Sequence, residues 1–388
     1  MRWETLEDAL EVLETEREYD GYFCSIKDAV IIVILGSLCD LQSVKKIHAW
    51  ATTEHVRTFL AETFGIKRLP CYWWLLNLLA LVTPESLNQC MKQWVASVVP
   101  NLAAKLEQEE EEQSKKKKKP LTIAIDGKEI RSTGKMKKYD SPLHIISAQI
   151  GELGLTLAQR TVASKSNEIP AVPKLVQELK IPGCMVVADA MNCQIETAEA
   201  ILEAKADYLL SAKANQETLM NDIAEYVQDK KLRAKMDSIS RTERGHGRKE
   251  TRSAYTSNDV EWQPGGRVWP GLKCIGAVHT RFETSEGVTE EWHYYISSKA
   301  LRAEELLHHA REEWSVETMH WLLDVHFDED RCRVQSKNIQ QNLNMLHKFA
   351  LNIIRIYKRE TQSKLALNGI MFRALMNPQA LLPLLGKT

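Results

Sequence analysis

Two short apolar runs in this chain each end in an aspartate, and this pattern constrains the fold more than any other feature. Asp126 follows the run Leu121–Ile125, and Asp189 follows the run Cys184–Ala188. Apolar runs of this length are typical of strands buried on both faces of a sheet. We therefore expect a mixed sheet flanked by helices, in which two buried strands each deliver an aspartate at their C-terminal end.

A third acidic residue, Glu317, lies in a stretch with helical spacing. The helix would carry Trp314 and Trp321 on the same face as Glu317, which predicts that the acid lies between two large aromatic side chains. Each acid has an ordinary alternative, because an aspartate after a strand is often a turn former or helix cap and a glutamate is often a surface residue. Rival carboxylates that the spacing does not exclude are Asp324, Asp328, Glu329 and Asp330.

Two aspartates from strands and a glutamate from a helix form the kind of carboxylate cluster that binds divalent metal ions. Mg²⁺ prefers oxygen ligands, and a few carboxylates are enough to hold it. A pair of such ions activates a water or a 3′-hydroxyl and stabilises the leaving oxygen at a phosphate. The cluster therefore predicts phosphoryl transfer on nucleic acid, with Mg²⁺ as the cofactor and Mn²⁺ as a possible substitute.

The net charge of −1 hides an asymmetry along the 388 residues. Residues 1–114 carry a net charge of −8, and the remainder carries +7. The segment from Arg331 to Arg359 holds seven basic residues and no acidic one. Clustered basic charge is the usual sign of a polyanionic partner, although a solvated helix face would give the same pattern.

The pattern of apolar residues divides the chain into four parts. Residues 1–104 have helical periodicity and predict a helical N-terminal domain, and residues 105–120 form a charged linker. Residues 121–358 alternate strand and helix patterns, with a β-rich insertion at about 230–299. Residues 359–388 form a C-terminal tail.

Individual elements follow from the same periodicities. Helices are predicted over residues 29–38, 44–63, 72–99, 171–179, 195–205, 216–229, 303–325 and 338–357. Strands are predicted over residues 121–125, 144–150, 155–162, 185–188 and 207–211, and in the insertion over 250–255, 274–281 and 291–296.

Cysteine usage and hydropathy indicate a cytoplasmic protein. The eight cysteines are scattered without the spacing of a metal site or a disulfide framework, which fits a reducing compartment. The apolar stretch Ala29–Cys39 is too short to span a bilayer and follows an acidic segment. It therefore predicts neither a membrane helix nor a signal peptide.

Five blocks of this sequence occur in the order found in one family of bacterial proteins. They are Ile125–Lys128 (IDGK), Ala188–Gln194 (ADAMNCQ), Tyr208–Gln216 (YLLSAKANQ), Gly245–Arg252 (GHGRKETR) and Trp314–Arg333 (WSVETMHWLLDVHFDEDRCR). With these blocks the chain from about 121 to 358 resembles the ISAs-type, or H-repeat-associated, branch of insertion-sequence DDE transposases. The region before them is similar to the domain that precedes the catalytic core in that family.

This resemblance implies a ribonuclease-H-like core with a β-strand insertion before the final acidic helix. It also implies Mg²⁺-dependent cleavage and strand transfer at transposon ends. Carried over by motif, Asp126, Asp189 and Glu317 would form the catalytic and metal-binding triad.

The chain departs from the wider superfamily around its glutamate. Where that superfamily has a tyrosine, an arginine and a lysine, this chain has Ala310, Glu313 and Asp324. The source of positive charge near the scissile phosphate is therefore open.

Lys213 is one candidate for that charge, because it follows a predicted strand and should emerge at the same sheet edge as the aspartates. Other predicted DNA contacts, each with an ordinary surface role as its alternative, are Lys128, His246, Arg248, Arg331, Arg333, Lys337 and Lys348.

Five tryptophans outside the acidic helix have separate predictions. Trp73 and Trp74 lie at helical apolar positions and are predicted in the core. Trp262, Trp269 and Trp292 in the insertion are candidates for stacking on a flipped or unpaired base at a DNA end.

The leading interpretation is an active DDE transposase that acts on double-stranded DNA, both transposon ends and target. The alternatives are a domesticated or inactive DNA-binding remnant and a metal-dependent nuclease without strand transfer. Because two DNA ends must be brought together, we expect a homodimer or a higher oligomer. Residues 1–104 are our candidate for sequence-specific DNA contact, since a recognition helix needs only a few base-reading side chains.

Overall fold

The structure of this protein is a computed structural model. It describes residues 2–19, 23–113, 120–134, 142–162, 168–245, 248–262, 264–285, 287–334 and 336–387. Within these ranges no helix combines the length and the apolar character needed to cross a membrane.

The N-terminal region is helical, as its periodicity predicts. Its helices are α1 (Arg2–Leu10), α2 (Ile26–Leu38), α3 (Val44–Ala51), α4 (Glu54–Phe64), α5 (Tyr72–Leu81) and α6 (Pro84–Gln113). Two predicted helices are each split in two. Thr53 occupies the N-cap position of α4, with extended backbone that interrupts the helix. Pro84 begins α6, because proline is favoured at a first helical position and lacks the N–H that would continue a preceding helix.

The rest of the chain alternates strands and helices close to the predicted positions. The strands are β1 (Thr122–Ile130), β2 (Leu143–Ile150), β3 (Leu155–Val162), β4 (Met185–Ala188), β5 (Asp207–Ala212), β6 (Asp237–Gly245), β7 (Arg248–Ser257), β8 (Cys274–Thr284) and β9 (Gly287–Ser297). The helices are α7 (Arg131–Gly134), α8 (Glu168–Leu179), α9 (Ile195–Glu203), α10 (Glu217–Gln228), α11 (Lys230–Arg233), α12 (Ala303–Phe327), α13 (Lys337–Thr361), α14 (Leu367–Met376) and α15 (Leu381–Leu385).

All nine described strands form one sheet in the order β3-β2-β1-β4-β5-β9-β8-β7-β6. The first three strands are antiparallel to one another, and β1, β4 and β5 are parallel. Helices α12 and α13 cover one face of this core, and α8 and α9 cover the other. Three antiparallel strands followed by two parallel ones form the ribonuclease-H-like arrangement, so the predicted fold class is confirmed.

The β-rich insertion extends the same sheet rather than folding apart from it. Strand β9 pairs antiparallel with β5, with Tyr294 opposite Ala212 at the end of β5. Because β9 starts at Gly287, the β8–β9 hairpin projects roughly 23 Å beyond the end of β5. The insertion therefore reaches past the sheet edge at which the parallel strands end.

Helix α13 is buried over most of its length although its sequence is polar. It contacts α2, α5 and α6 of the N-terminal region and also β3 and α12. Its amide side chains bond inward: Asn342 Nδ2 donates to the carbonyls of Leu79 and Val82, each at 2.8 Å. Asn352 bonds both the N–H and the C=O of Thr156. One hydrophobic core therefore runs from the N-terminal helices to the sheet.

Two short helices follow α13 in the predicted C-terminal tail. Ile370, Met371 and Leu381 are buried, and α15 contacts α13. This part of the chain therefore packs against the body of the protein.

We expect Asn352→Ala to lower the free energy of unfolding by about 2–4 kcal/mol, because it leaves a buried N–H and a buried C=O of Thr156 without their partner. Urea denaturation followed by circular dichroism measures this. The control is Asn368→Ala at an exposed position of α14, which should change stability by less than about 0.5 kcal/mol. Equal effects of the two substitutions would contradict the role of α13.

Candidate active site

Asp126 and Asp189 lie side by side on neighbouring parallel strands. Ile125 of β1 pairs with Ala188 of β4, so each aspartate stands one residue beyond a matched pair. Gly127 follows Asp126 at a position where a Cβ would collide with side chains on the α8 face of the sheet. This close packing explains why residue 127 is a glycine. Because side chains alternate along a strand, Asp126 faces the other side of the sheet from α8.

Asp126 and Lys128 point from β1 towards helix α12. Oδ2 of Asp126 lies 3.4 Å from Nδ1 of His320. Burial lowers the pKa of His320, and the bond to Asp126 opposes that effect, so the ring is neutral at neutral pH. A neutral imidazole that donates from Nδ1 orients the carboxylate and leaves its charge in place.

Asp189 caps the single helical turn that follows β4. Its Oδ1 accepts a 2.7 Å bond from Nδ2 of Asn192 and a 3.3 Å bond from the backbone N–H of the same residue. The aspartate is therefore held in one orientation at the sheet edge. It caps the helical turn and also belongs to the candidate site.

Helix α12 presents a row of polar side chains to this edge, one at every third or fourth residue. They are Glu313, Glu317, His320 and Asp324. Burial and the charge of Asp126 raise the pKa of Glu317, whereas Lys213 lowers it. Asp126, Glu317 and Lys213 therefore belong to one electrostatic cluster.

Glu313 is a further acid of this cluster that the sequence analysis did not assign to the site. Burial and then the charge of Asp189 raise its pKa to about 8, while Lys213 opposes the shift. It is protonated at neutral pH as a result. Its position one helical turn before Glu317 is the signal that would have found it.

The donor set at this edge fits a hard divalent cation, because it consists of carboxylate oxygens. The carboxylates of Asp126, Asp189 and Glu317 do not all lie within 4.8 Å of one another. Divalent cations held by these carboxylates would supply Lewis-acid chemistry at a phosphate. Burial and then the charge of Asp189 raise the pKa of Glu313, and bound cations would offset the second of these effects.

A second cluster of metal-ligand residues lies near the other end of β1. Ligand atoms of Glu152, His308 and His309 lie within 4.8 Å of one another. Glu152 accepts the backbone N–H of Thr122 at 3.0 Å, and Nε2 of His308 lies 3.1 Å from its Oε1. Thr122 is roughly 13 Å along β1 from Asp126, so this network anchors the start of the strand and is separate from the triad.

Two of the rival carboxylates are engaged by Lys128. Its Nζ donates to Oδ1 of Asp324 at 2.6 Å and lies 3.5 Å from Oε2 of Glu329. Burial alone would raise the pKa of Glu329, but the hydrogen bond with His347 and the charge of Lys128 lower it to about 2. Lys128 therefore neutralises neighbouring acids, which leaves it less available to a phosphate than an unpaired lysine.

Lys213 and Lys348, both predicted to contact DNA, occupy opposite environments. Lys213 is exposed at the end of β5 beside the acids. Lys348 is buried, and its Nζ donates to Ser147 and Gln159 at 2.8 and 2.7 Å. The prediction for Lys348 is wrong, because α13 turns this residue into the core, where burial lowers its pKa to about 7.

The structure describes four of the five other predicted DNA contacts. Arg331 and Arg333 are exposed after α12, and Lys337 is the first residue of α13. Arg248 begins β7, where its guanidinium lies over an aromatic ring. His246 lies outside the described residues. A role in DNA contact stays a prediction for these five residues.

The tryptophans of α12 do not enclose Glu317 as predicted. Trp314 and Trp321 are 55% and 61% exposed. The face of α12 that packs on the sheet is rotated towards Glu313 and His320, so the two indole rings lie in solvent.

The remaining tryptophans also differ from their predictions. Trp73 and Trp74 are 73% and 39% exposed rather than in the core, because α5 buries its leucines instead. Trp269 is only 2% exposed, which rules out stacking on a base in this conformation. Trp262 and Trp292 stack on aromatic neighbours within the protein.

Comparisons with known proteins agree on one family. A family profile described as the transposase DDE domain matches residues 117–353. YncI of Escherichia coli O157:H7, which carries a transposase name, is 37% identical over 265 residues, covering 63% of this chain and 66% of that protein. YhhI of Escherichia coli strain K12, named as an H repeat-associated transposase, is 33% identical over 259 residues, covering 63% and 67%.

The chain thus spans about two thirds of the length of these curated relatives. Among solved structures, a synaptic complex of the piggyBac transposase with hairpin DNA aligns with a TM-score of 0.42 and 9% identity. That alignment covers 98% of this chain and 77% of the other.

We expect Glu313→Gln to make the metal-free protein less sensitive to alkaline pH. The pKa of Glu313 is about 8 in the folded state against 4.5 ordinarily, so the folded state holds an extra proton and stability falls as pH rises between these values. Glutamine does not ionise. The stability advantage of the variant should therefore grow by about 1–3 kcal/mol from about pH 5 to about pH 8.5.

Denaturation in EDTA at both pH values measures this difference. Glu196→Gln, at an exposed position of α9, is the control and should show no such growth. A pH-independent difference between wild type and Glu313→Gln would contradict the raised pKa.

Proposed function

This chain belongs to the family of the transposase DDE domain, and from that premise we propose that it cuts the ends of an insertion sequence and joins them to target DNA. One observation carries the proposal: Asp126, Asp189 and Glu317 cluster beside Lys213 at one edge of a ribonuclease-H-like sheet. Carboxylates gathered in this way favour chemistry at phosphate over most other reactions.

The three carboxylates would hold divalent ions, Mg²⁺ with Mn²⁺ as a substitute. When bound, such ions lower the pKa of a water or a 3′-hydroxyl and stabilise the leaving oxygen of a phosphodiester. His320 orients Asp126, and Asn192 orients Asp189, so both aspartates are held in position before DNA binds.

Lys213 and Glu313 would adjust the charge around the scissile phosphate. Lys213 is an exposed cation beside the acids and can neutralise the charge that develops on the phosphate oxygens. Glu313 is protonated at neutral pH and so adds no further repulsion. In the cut, a water oxygen bonds to phosphorus as the bond from that phosphorus to the 3′ oxygen breaks, and the proton that the water loses is balanced by the one that the freed 3′ oxygen gains. In the joining step, the oxygen of that 3′-hydroxyl loses its proton and bonds to a target phosphorus as the bond from that phosphorus to the target's own 3′ oxygen breaks, and this leaving oxygen takes up a proton.

DNA contact would extend beyond the triad. Arg248, Arg331, Arg333 and Lys337 are the described cations that we assign to phosphate contacts, and the β8–β9 hairpin projects past the sheet edge at which the parallel strands end. Two transposon ends must meet, so we propose a homodimer or a higher oligomer on DNA. The chromosomal substrate would be met in the cytoplasm.

Residues 1–104 remain our candidate for sequence-specific contact. Deleting them is not a usable test, because α13 packs against α2, α5 and α6 and would be exposed. Asn342 would also lose both of its carbonyl partners in α5 and the residue after it. Surface substitutions in the N-terminal helices are needed instead.

We expect Asp189→Asn to lower Mg²⁺-dependent cleavage of DNA that carries the element's own ends by about 1,000-fold or more. The amide keeps the bond with Asn192 but loses the charge that holds the cation. DNA binding should stay within about threefold of wild type, since the triad contributes little to affinity for the phosphate backbone. A gel-based cleavage assay and an anisotropy titration measure the two quantities.

Asp126→Asn and Glu317→Gln should behave in the same way, and Glu196→Gln, an exposed acid of α9, should cleave like wild type. End-specific binding without cleavage by the wild-type protein would instead support the inactive DNA-binding remnant. Cleavage with no joining of the 3′ end to a target would support the nuclease.

We expect Lys213→Ala to reduce the cleavage rate by about 100-fold with little change in DNA affinity, because the charge acts on the transition state. Lys213→Arg should recover a large part of the rate. Lys235→Ala, at an exposed position after α11, is the matched control. Single-turnover cleavage rates test this, and a loss that appears only in affinity would assign Lys213 to DNA binding alone.

A further inference from the structure

A deep cleft lies between the N-terminal helices and the segment that follows α12. Its volume is about 940 Å³, and its walls come from α3, α5, the residues after α12 and the first turns of α13. Ile130, the last residue of β1, also lines it, roughly 13 Å along the strand from Asp126. The cleft is therefore next to the catalytic edge but is not part of it.

The walls of the cleft carry exposed cations on both sides. They are Lys45 and Lys46 from α3 and Arg331 and Arg333 from the segment after α12. Lys45 and Arg333 form no ion pair with any residue in the described ranges, and Arg331 has a loose pair at 3.8 Å with Asp328. Glu329, the other lining acid, is occupied by buried contacts with Lys128 and Asn344. Cations therefore outnumber the available carboxylates.

An exposed aromatic side chain completes the wall. Trp73 is 73% exposed and is the most exposed of the large apolar residues described, and the ring of Tyr72 packs edge-on against it at 5.1 Å. Burial in the protein does not account for this tryptophan, since α5 contributes its leucines to the core. An exposed indole beside unpaired cations is the combination that binds single-stranded nucleic acid, in which bases stack on rings and phosphates meet Lys or Arg.

We propose that this cleft binds unpaired nucleotides of the DNA strand that passes the catalytic carboxylates, with Trp73 stacking on a base and Lys45 and Arg333 contacting phosphates. The inference rests on the proposed function for its substrate and deepens it by naming a second contact region. A space of about 940 Å³ is the size of a small-molecule site and accepts a few unpaired nucleotides but not a duplex. An apolar protein segment bound in the cleft would leave Lys45 and Arg333 without an anionic partner.

The test compares a fluorescein-labelled twelve-nucleotide oligothymidylate with a duplex of the same length, using the full chain in EDTA so that nothing is cleaved. Trp73→Ala is expected to weaken oligothymidylate binding by about tenfold or more, as loss of one base stack does, and to leave duplex binding within about twofold. Trp73→Phe should retain most of the affinity. Phe372→Ala is the matched control, because Phe372 is also exposed, at 60%, and does not line the cleft.

The cations are tested by salt dependence. The double variant Lys45→Ala with Arg333→Ala removes two phosphate contacts. The negative slope of log K against log salt concentration for oligothymidylate should therefore become less steep by about 1.4. The same double variant should keep its thermal unfolding midpoint, since both side chains are exposed.

Three results would overturn the proposal: no effect of Trp73→Ala on oligothymidylate, equal loss for single strand and duplex, or an unchanged salt slope in the double variant. Loss of a protein partner with DNA binding intact would show instead that the cleft docks a protein. Failure here is separable from failure of the proposed function. If the wild-type protein cleaves DNA and Trp73→Ala does not change oligothymidylate affinity, only the proposal for the cleft is contradicted. If Trp73→Ala weakens oligothymidylate binding but the wild-type protein does not cleave DNA, only the proposed enzymatic function is contradicted.

Discussion

The structure depends on burying the polar helix α13, whose Asn342, Lys348 and Asn352 side chains donate hydrogen bonds to other elements. Buried polar groups are costly unless they are hydrogen-bonded, so this helix can lie at the centre of the protein only in one register. Asn342 fixes it to the end of α5, Asn352 fixes it to β3, and Lys348 ties it to β2 and β3. The N-terminal helices and the sheet are thereby held in one arrangement.

Helix α12 carries two kinds of acidic side chain, and their counter-charges distinguish them. Towards its end, Asp324 and the nearby Glu329 share Lys128. Despite burial, which raises it, the pKa of Glu329 is lowered to about 2 by the hydrogen bond with His347 and then by the charge of Lys128. Two to three turns earlier, burial and then the charges of neighbouring acids raise the pKa values of Glu313 and Glu317, and Lys213 opposes both shifts. The first group is neutralised within the protein, whereas the second group has an excess of negative charge that a cation can neutralise.

Much of the fold could be predicted from the sequence because strand and helix periodicities are strong where one face or both faces are buried. The run ending at Ala188 is observed as the strand Met185–Ala188, and its pairing with β1 brings the two aspartates together. Prediction failed where exposure depends on helix rotation. Lys348 in a basic segment proved buried, and Trp73 in an apolar one proved exposed, since neither periodicity nor charge specifies which side of a helix meets another element.

The sequence by itself predicted most of the elements, their order and the three candidate acids, because apolar spacing and motif order are local properties of the chain. Tertiary structure alone decided which side chains from distant parts of the sequence come into contact. Glu313 joins the site only because α12 packs on β1 and β4, and His320 orients Asp126 only because that packing brings a buried imidazole within 3.4 Å. The electrostatics of the site depend on distance and burial, and those are set by packing between elements far apart in sequence.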